Sequence, residues 1–162
     1  RSLALLEPVL ILGASGPSYR DSLARGRQRY PQESPERIVD EFLEERLGAG
    51  YRAELERVLP GAFEQAVADS GTAFELEITE LLVWRFGAAE AERIHRPVLS
   101  VVGAESASLS PRFGETHRFL LETLPNVQGF VLPGAAHGME TQNPRGLATV
   151  LASFWSHHRI RP

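Results

Sequence analysis

The side chains placed to do acid–base work in this sequence are Glu7, Glu105 and His137, and Ser15 lies in a loop of the kind that can line a site. His137 sits in Pro133-Gly134-Ala135-Ala136-His137-Gly138, directly after the apolar run Val127-Gln128-Gly129-Phe130-Val131-Leu132. Glu7 ends the run Ser2-Leu3-Ala4-Leu5-Leu6 and precedes Pro8, and Glu105 follows Val98-Leu99-Ser100-Val101-Val102-Gly103. Each thus falls at the carboxyl end of a strand-like segment, where functional groups gather in open α/β sheets. A carboxylate beside a histidine makes the base half of a nucleophilic triad: the imidazole takes a proton, and the acid fixes its tautomer and stabilises the imidazolium. The plainer readings are a surface histidine, a polar strand cap at Glu7 and a loop residue at Ser15. Trp84, Phe86 and Phe74 are candidates to line a substrate pocket, although aromatic residues on helices are more often core.

The elements that must position these residues can be read from period and punctuation. Short apolar runs bounded by Pro and Gly predict buried strands at Ser2–Glu7, Val98–Gly103 and Val127–Leu132. Between the first two, residues from about 17 to 92 read as helical. Ser34-Pro35-Glu36 has a cap, a proline at the first helical position and an acid for the dipole. Ile38, Val39, Phe42, Leu43 and Leu47 follow as an apolar stripe, closed by Gly48 and Gly50. Helices are predicted over Tyr51–Leu59 and Ala62–Ala68. Phe74-Glu75-Leu76-Glu77-Ile78 alternates like a strand, but the apolar stretch runs on through Trp84 and Phe86, which favours helix. Pro111–Thr123 and a helix opened by Asn143-Pro144, with Leu147, Val150, Leu151 and Phe154 as its stripe, complete an alternation that predicts an α/β fold with a parallel sheet.

Composition narrows the chemistry. The 162 residues are 43% hydrophobic and 23% charged, a globular balance. There is no cysteine and no lysine, so disulfides, thiolate chemistry, lysine Schiff bases and a P-loop lysine are excluded. A net charge of −4 with scattered arginines argues against nucleic acid as a partner. No long uncharged apolar run predicts a membrane span, and no signal peptide is visible. A cytoplasmic location, a bacterial source (from the arginine-only, alanine-rich composition) and no membrane partner are the expectations. His157 and His158 are adjacent on a helix and diverge by about 100°, and His95 and His117 lack partners at ligand spacing, so no metal and no cofactor are expected.

In order, Arg96-Pro97 with the second strand, Leu124-Pro125-Asn126-Val127, the His137 loop, and Asn143-Pro144 with the final helix resemble the C-terminal lobe of the α/β-hydrolase superfamily. Ser2–Pro8 is similar to the strand before the lid. The resemblance implies a partial α/β-hydrolase fold, with three parallel strands, flanking helices and a helical lid insertion. Its expected parts are a core strand at 1–10, a lid at 11–93 and a core lobe at 94–162. It implies His137 as the catalytic histidine. The superfamily's nucleophile elbow, G-x-S-x-G, has no counterpart here, since Gly13-Ala14-Ser15-Gly16 has the wrong spacing and lies too late. The acid also departs from the common G-x-x-D pattern, because Ser106 stands at the Asp position. Glu105 is one residue off and is the alternative acid. Glu7 matches the place used by some members, including one group of haloalkane dehalogenases.

These departures lead to the expectation of an incomplete catalyst: a fragment, a processed product or a subunit. Its partner would be a missing N-terminal half or a self-associated copy, and its ligand a small-molecule substrate. The leading activity is cofactor-free hydrolysis of an ester or related acyl bond by a Ser-His-acid mechanism, the nucleophile coming from the absent half. The alternatives are a haloalkane dehalogenase or epoxide hydrolase with an Asp nucleophile, and a non-catalytic ligand-binding module of the same fold.

Overall fold

Val98–Gly103 is apolar at every position but Ser100, and all of its residues are buried. A strand needs such a run only when both of its faces and both of its edges are covered. In the computed structural model, which describes residues 1–158, this segment is the middle strand of a parallel sheet. Strands β1 (Leu3–Leu6), β2 (Val98–Gly103) and β3 (Val127–Leu132) stand in the order β1-β2-β3. The register pairs Leu3 with Val98 and Leu6 with Val101, and Val98 with Val127 through Gly103 with Leu132. Among the described residues the outer edges of β1 and β3 carry no further strand.

The chain forms two compact units, one of residues 1–16 and 86–158 and the other of Pro17–Arg85. In the first, the alternation of β2 feeds two apolar layers. Leu99 and Val101 pack with Leu132, Ala135, Met139, Leu147 and Phe154. Val98, on the opposite side, packs with Leu10, Ala91, Leu120 and Leu124. Helices α6 (Ala88–Ala91), α7 (Arg112–Thr123), α8 (Met139–Gln142) and α9 (Pro144–His157) belong to this unit. The Asn143 side chain caps α9 by accepting from the Gly146 amide at 2.9 Å, and its own amide donates to the Pro133 carbonyl at 2.9 Å. The cap therefore also ties α9 to the loop that carries His137. The short α8 inside that loop has no apolar period long enough to announce it.

The second unit is helical. It contains α1 (Gly16–Arg29, whose first residue belongs to the sheet unit), a 3₁₀ turn at Tyr30–Gln32, α2 (Pro35–Leu47), α3 (Tyr51–Val58), α4 (Ala62–Ala68) and α5 (Ile78–Val83). Ser34 caps α2 as its sequence implies, accepting from the Arg37 amide at 3.3 Å. The alternating stretch is helical, but Thr72–Glu77 winds as a π-helix. Phe74 and Ile78 are buried while Leu76 between them is exposed, so the alternation reflects a wide turn with two inward residues. Phe74 stacks on Tyr30 at 5.0 Å and meets Phe42 edge-on at 5.2 Å. The helix also stops earlier than the apolar run suggests: Trp84 is extended, its amide closing the last turn on Glu80. No helix among the described residues is long and apolar enough to cross a membrane.

Candidate active site

The ends of β1 and β2 and the loop after β3 converge on one carboxylate. Glu7 follows β1 with φ +42°, a left-handed conformation that is unfavourable for a side chain with a Cβ. The turn directs its carboxyl inward, where the side chain is 1% exposed. Burying a charge is costly unless both oxygens find donors. Here Oε1 accepts from the Gly103 amide at the end of β2, at 2.8 Å. Oε2 lies 2.7 Å from Nδ1 of His137. Strain at one residue is offset by two hydrogen bonds to two different elements, the pattern expected where a backbone is held for a purpose.

Gly103 is required at that junction. A Cβ there would run into the carbonyl oxygens of Ala135 and Ala136 and into Ser106 Oγ. Its absence lets the histidine loop lie directly on the end of β2. The Ala104 amide then reaches Leu132 O at 2.9 Å, and the Glu105 amide reaches Ala135 O at 3.0 Å. Beyond the loop, the Ala136 amide donates to Gln142 Oε1 at 2.6 Å. The loop is thereby held on both sides of His137.

When Glu7 is ionised it can only accept, so a neutral imidazole bonded to it carries its proton on Nδ1 and leaves the lone pair on Nε2. Nε2 makes no hydrogen bond among the described residues. It is also absent from their buried, unpartnered polar atoms, and the His137 side chain keeps 22% of its surface. The arrangement leaves one imidazole nitrogen accessible and the other held by a buried carboxylate. Against the other side of the histidine lies Phe113 of α7, its ring centroid 4.6 Å away with the planes at 32°.

Within the sheet unit the structure brings Glu7 and His137 together and bonds neither of them to the side chains of Glu105, Ser106 or Ser15. Glu105 is exposed, with only its backbone engaged. Ser106 is fully buried and its Oγ has no partner. Ser15 is bound to Glu115, which accepts from its amide at 3.0 Å and from its hydroxyl at 3.1 Å. Trp84 is half exposed beside Glu80, Leu81 and Val83 in the helical unit. Phe86 is partly buried against the sheet unit's core and meets Phe119 edge-on at 6.4 Å. His157 bonds to its own helix through Ser153 O. His117 pairs with the buried Ser100 hydroxyl at 2.8 Å, and burial lowers its pKa, with the charge of Glu7 opposing. Sequence reasoning missed Gly103 and Phe113. A glycine ending a buried strand signals a close backbone approach, but nothing in local spacing points from Phe113 to a histidine 24 residues later.

No protein-family model and no curated protein matches the chain. Solved structures do match its fold. The bromoperoxidase from Bacillus anthracis superposes with a TM-score of 0.65 at 16% identity, over 96% of this chain and 57% of its own. The putative non-heme bromoperoxidase BpoC from Mycobacterium tuberculosis gives 0.62 at 18% identity, over 98% and 59%. An alpha/beta hydrolase from Sphaerobacter thermophilus gives 0.57 at 22% identity, over 95% and 58%. The chain has part of the α/β-hydrolase fold, and it spans under three-fifths of the length of these structures.

Proposed function

We propose that this chain supplies the base half of a cofactor-free hydrolase acting on ester or related acyl bonds. The observation that carries the reading is the buried Glu7 carboxylate 2.7 Å from His137 Nδ1. The nucleophile comes from a segment outside this sequence: among the described residues no hydroxyl bonds to His137. The bare edge of β1, with Leu3 and Leu6 partly exposed, suits a further parallel strand from that segment or from a second copy.

In the reaction, a serine hydroxyl gives its proton to Nε2 of His137 as its oxygen attacks the acyl carbon. The carbonyl π-electrons move to oxygen, and the imidazolium is stabilised by Glu7. On collapse, the C–O bond to the leaving group breaks and His137 returns the proton to it. Water then repeats the sequence, releasing the acid and the free serine. A second reading has an Asp nucleophile and an alkyl-enzyme ester, with His137 activating the hydrolytic water. It is favoured by the position of the acid, which follows the strand before the helical insertion.

The test uses this chain joined to its upstream half. A fluorophosphonate that labels one upstream serine, with labelling lost in His137→Ala, supports acyl chemistry. Halide release from haloalkanes without labelling supports the Asp reading. Neither activity, with His137→Ala indistinguishable from wild type in ligand binding, contradicts a catalytic role.

A further inference from the structure

Glu7 holds the imidazole of His137 at a single atom. One hydrogen bond leaves the ring free to pivot about the Nδ1···Oε2 line, and the second side-chain torsion of histidine is broad and nearly two-fold. A half-turn would exchange Nδ1 with Cδ2 and break the contact with the acid. Something must therefore present a flat surface to the ring.

Phe113 meets that need. It lies in the first turn of α7, is 2% exposed, and packs its ring at 4.6 Å and 32° from His137, within the range of aromatic pairs. The Phe113 ring is itself restrained. The guanidinium carbon of Arg112, also buried, stands 3.8 Å from its centroid. The start of α7 is fixed to the end of β2 by the intervening turn, with the Ser110 amide on Ser106 O at 3.1 Å and the Glu115 amide on Pro111 O at 3.0 Å. One stretch of chain from Gly103 to Phe113 therefore carries both the amide that holds Glu7 and the ring that faces His137. An aromatic face also favours a cation placed against it, so the contact persists when the imidazole takes a proton.

We infer that Phe113 is a positioning residue, an aromatic wall that holds His137 in the one ring orientation that keeps Nδ1 on Glu7. The inference rests on the reading of His137 as a base. A phenylalanine that merely fills the core would affect stability and leave the state of the imidazole unchanged.

The experiment is side-chain ¹H–¹⁵N NMR of the whole 162-residue chain as wild type, Phe113→Leu, Phe113→Tyr and Glu7→Gln. Wild type should give one set of His137 ring signals with the proton on Nδ1. Its carbon-bound ring protons should be shifted upfield and show NOEs to Phe113. In Phe113→Leu, the two ring nitrogens should move toward each other as both tautomers populate. The Nδ1 proton should exchange about two- to tenfold faster, the range an aromatic pair contributes. Phe113→Tyr should restore the wild-type pattern. A Phe113→Leu chain with the wild-type tautomer and exchange rate overturns the inference, even where Glu7→Gln disrupts His137 and so upholds the dyad. A Glu7→Gln chain with an unaltered His137 overturns the base reading itself. If Phe113→Leu does not fold, the wild-type spectrum decides, and absence of the NOEs and upfield shift overturns the inference.

Discussion

The end of the sheet and the surface of the helical unit use charge in opposite ways. In the sheet unit a carboxylate is taken almost wholly out of water and satisfied by Gly103 and His137. In the helical unit Arg29 joins Glu33 and Glu41 at 2.7 Å each, and Arg37 joins Glu41 at 3.1 Å, all at least partly exposed to water. Exposed pairs contribute little, because water screens them and long side chains lose freedom. A buried charge whose partner is removed is costly, because the remaining group cannot be resolvated. The two regions therefore differ in tolerance: single changes at the end of the sheet have large consequences, and those on the helical surface small ones.

Gly103→Ala should have the largest effect on stability. The added methyl meets two backbone carbonyls that cannot move without lifting the histidine loop. A loss of about 1–3 kcal/mol in denaturant unfolding is expected, together with displaced His137 ring signals. A loss below that range, with the His137 signals in place, would show the loop to be more pliant than the sheet unit's packing implies.

His117 gives a pH-dependent effect within the same unit. Burial holds its pKa below the ordinary 6.5, so as the pH falls through 6.5 the unfolded chain binds this proton first. The stability associated with neutral His117 is fully present above that value and declines as the solution is acidified toward the lower folded pKa. Denaturant midpoints at about pH 7.5 and about pH 5.5 should therefore converge in His117→Gln relative to wild type. An unchanged difference would assign the acid sensitivity to other groups.

Ser34→Ala in the helical unit should cost about 1 kcal/mol, the usual worth of a helix cap, without moving the His137 signals. Arg29→Ala should cost less than that and should vanish at high salt. Hydrogen bonds from Arg29 hold the Glu33 and Glu41 carboxyls below the usual range. Their small contribution is therefore present above the ordinary glutamate pKa and lost as pH falls through the lowered folded values. An Arg29 effect larger than the cap effect would blur the contrast between the units.

How much was legible in the sequence follows the same division. The spans of β2 and β3, the cap at Ser34 and the cap at Asn143 follow from local rules, because each depends on a few adjacent residues. Glu7 and His137 stood out because parallel strands place their carboxyl ends on one side. What local patterning could not supply was long-range or finely geometric. The π-turn around Phe74 arises from packing on Tyr30 and Phe42. The end of α5 at Val83 interrupts an apolar run that carried no break signal. Phe113 reaches His137 only because Gly103 allows the loop to settle on β2.

The central claim is that Glu7, and not Glu105, orients His137 as the base. Its most direct measurement is the turnover of an activated ester by this chain joined to a segment that supplies the proposed nucleophile, with Glu7→Gln and Glu105→Gln compared under conditions where both remain folded. The account predicts a fall of roughly 10³–10⁴-fold for Glu7→Gln, as expected when an orienting carboxylate is replaced by its amide, and near-wild-type turnover for Glu105→Gln. The reverse ranking, or two changes of equal and small size, would contradict it.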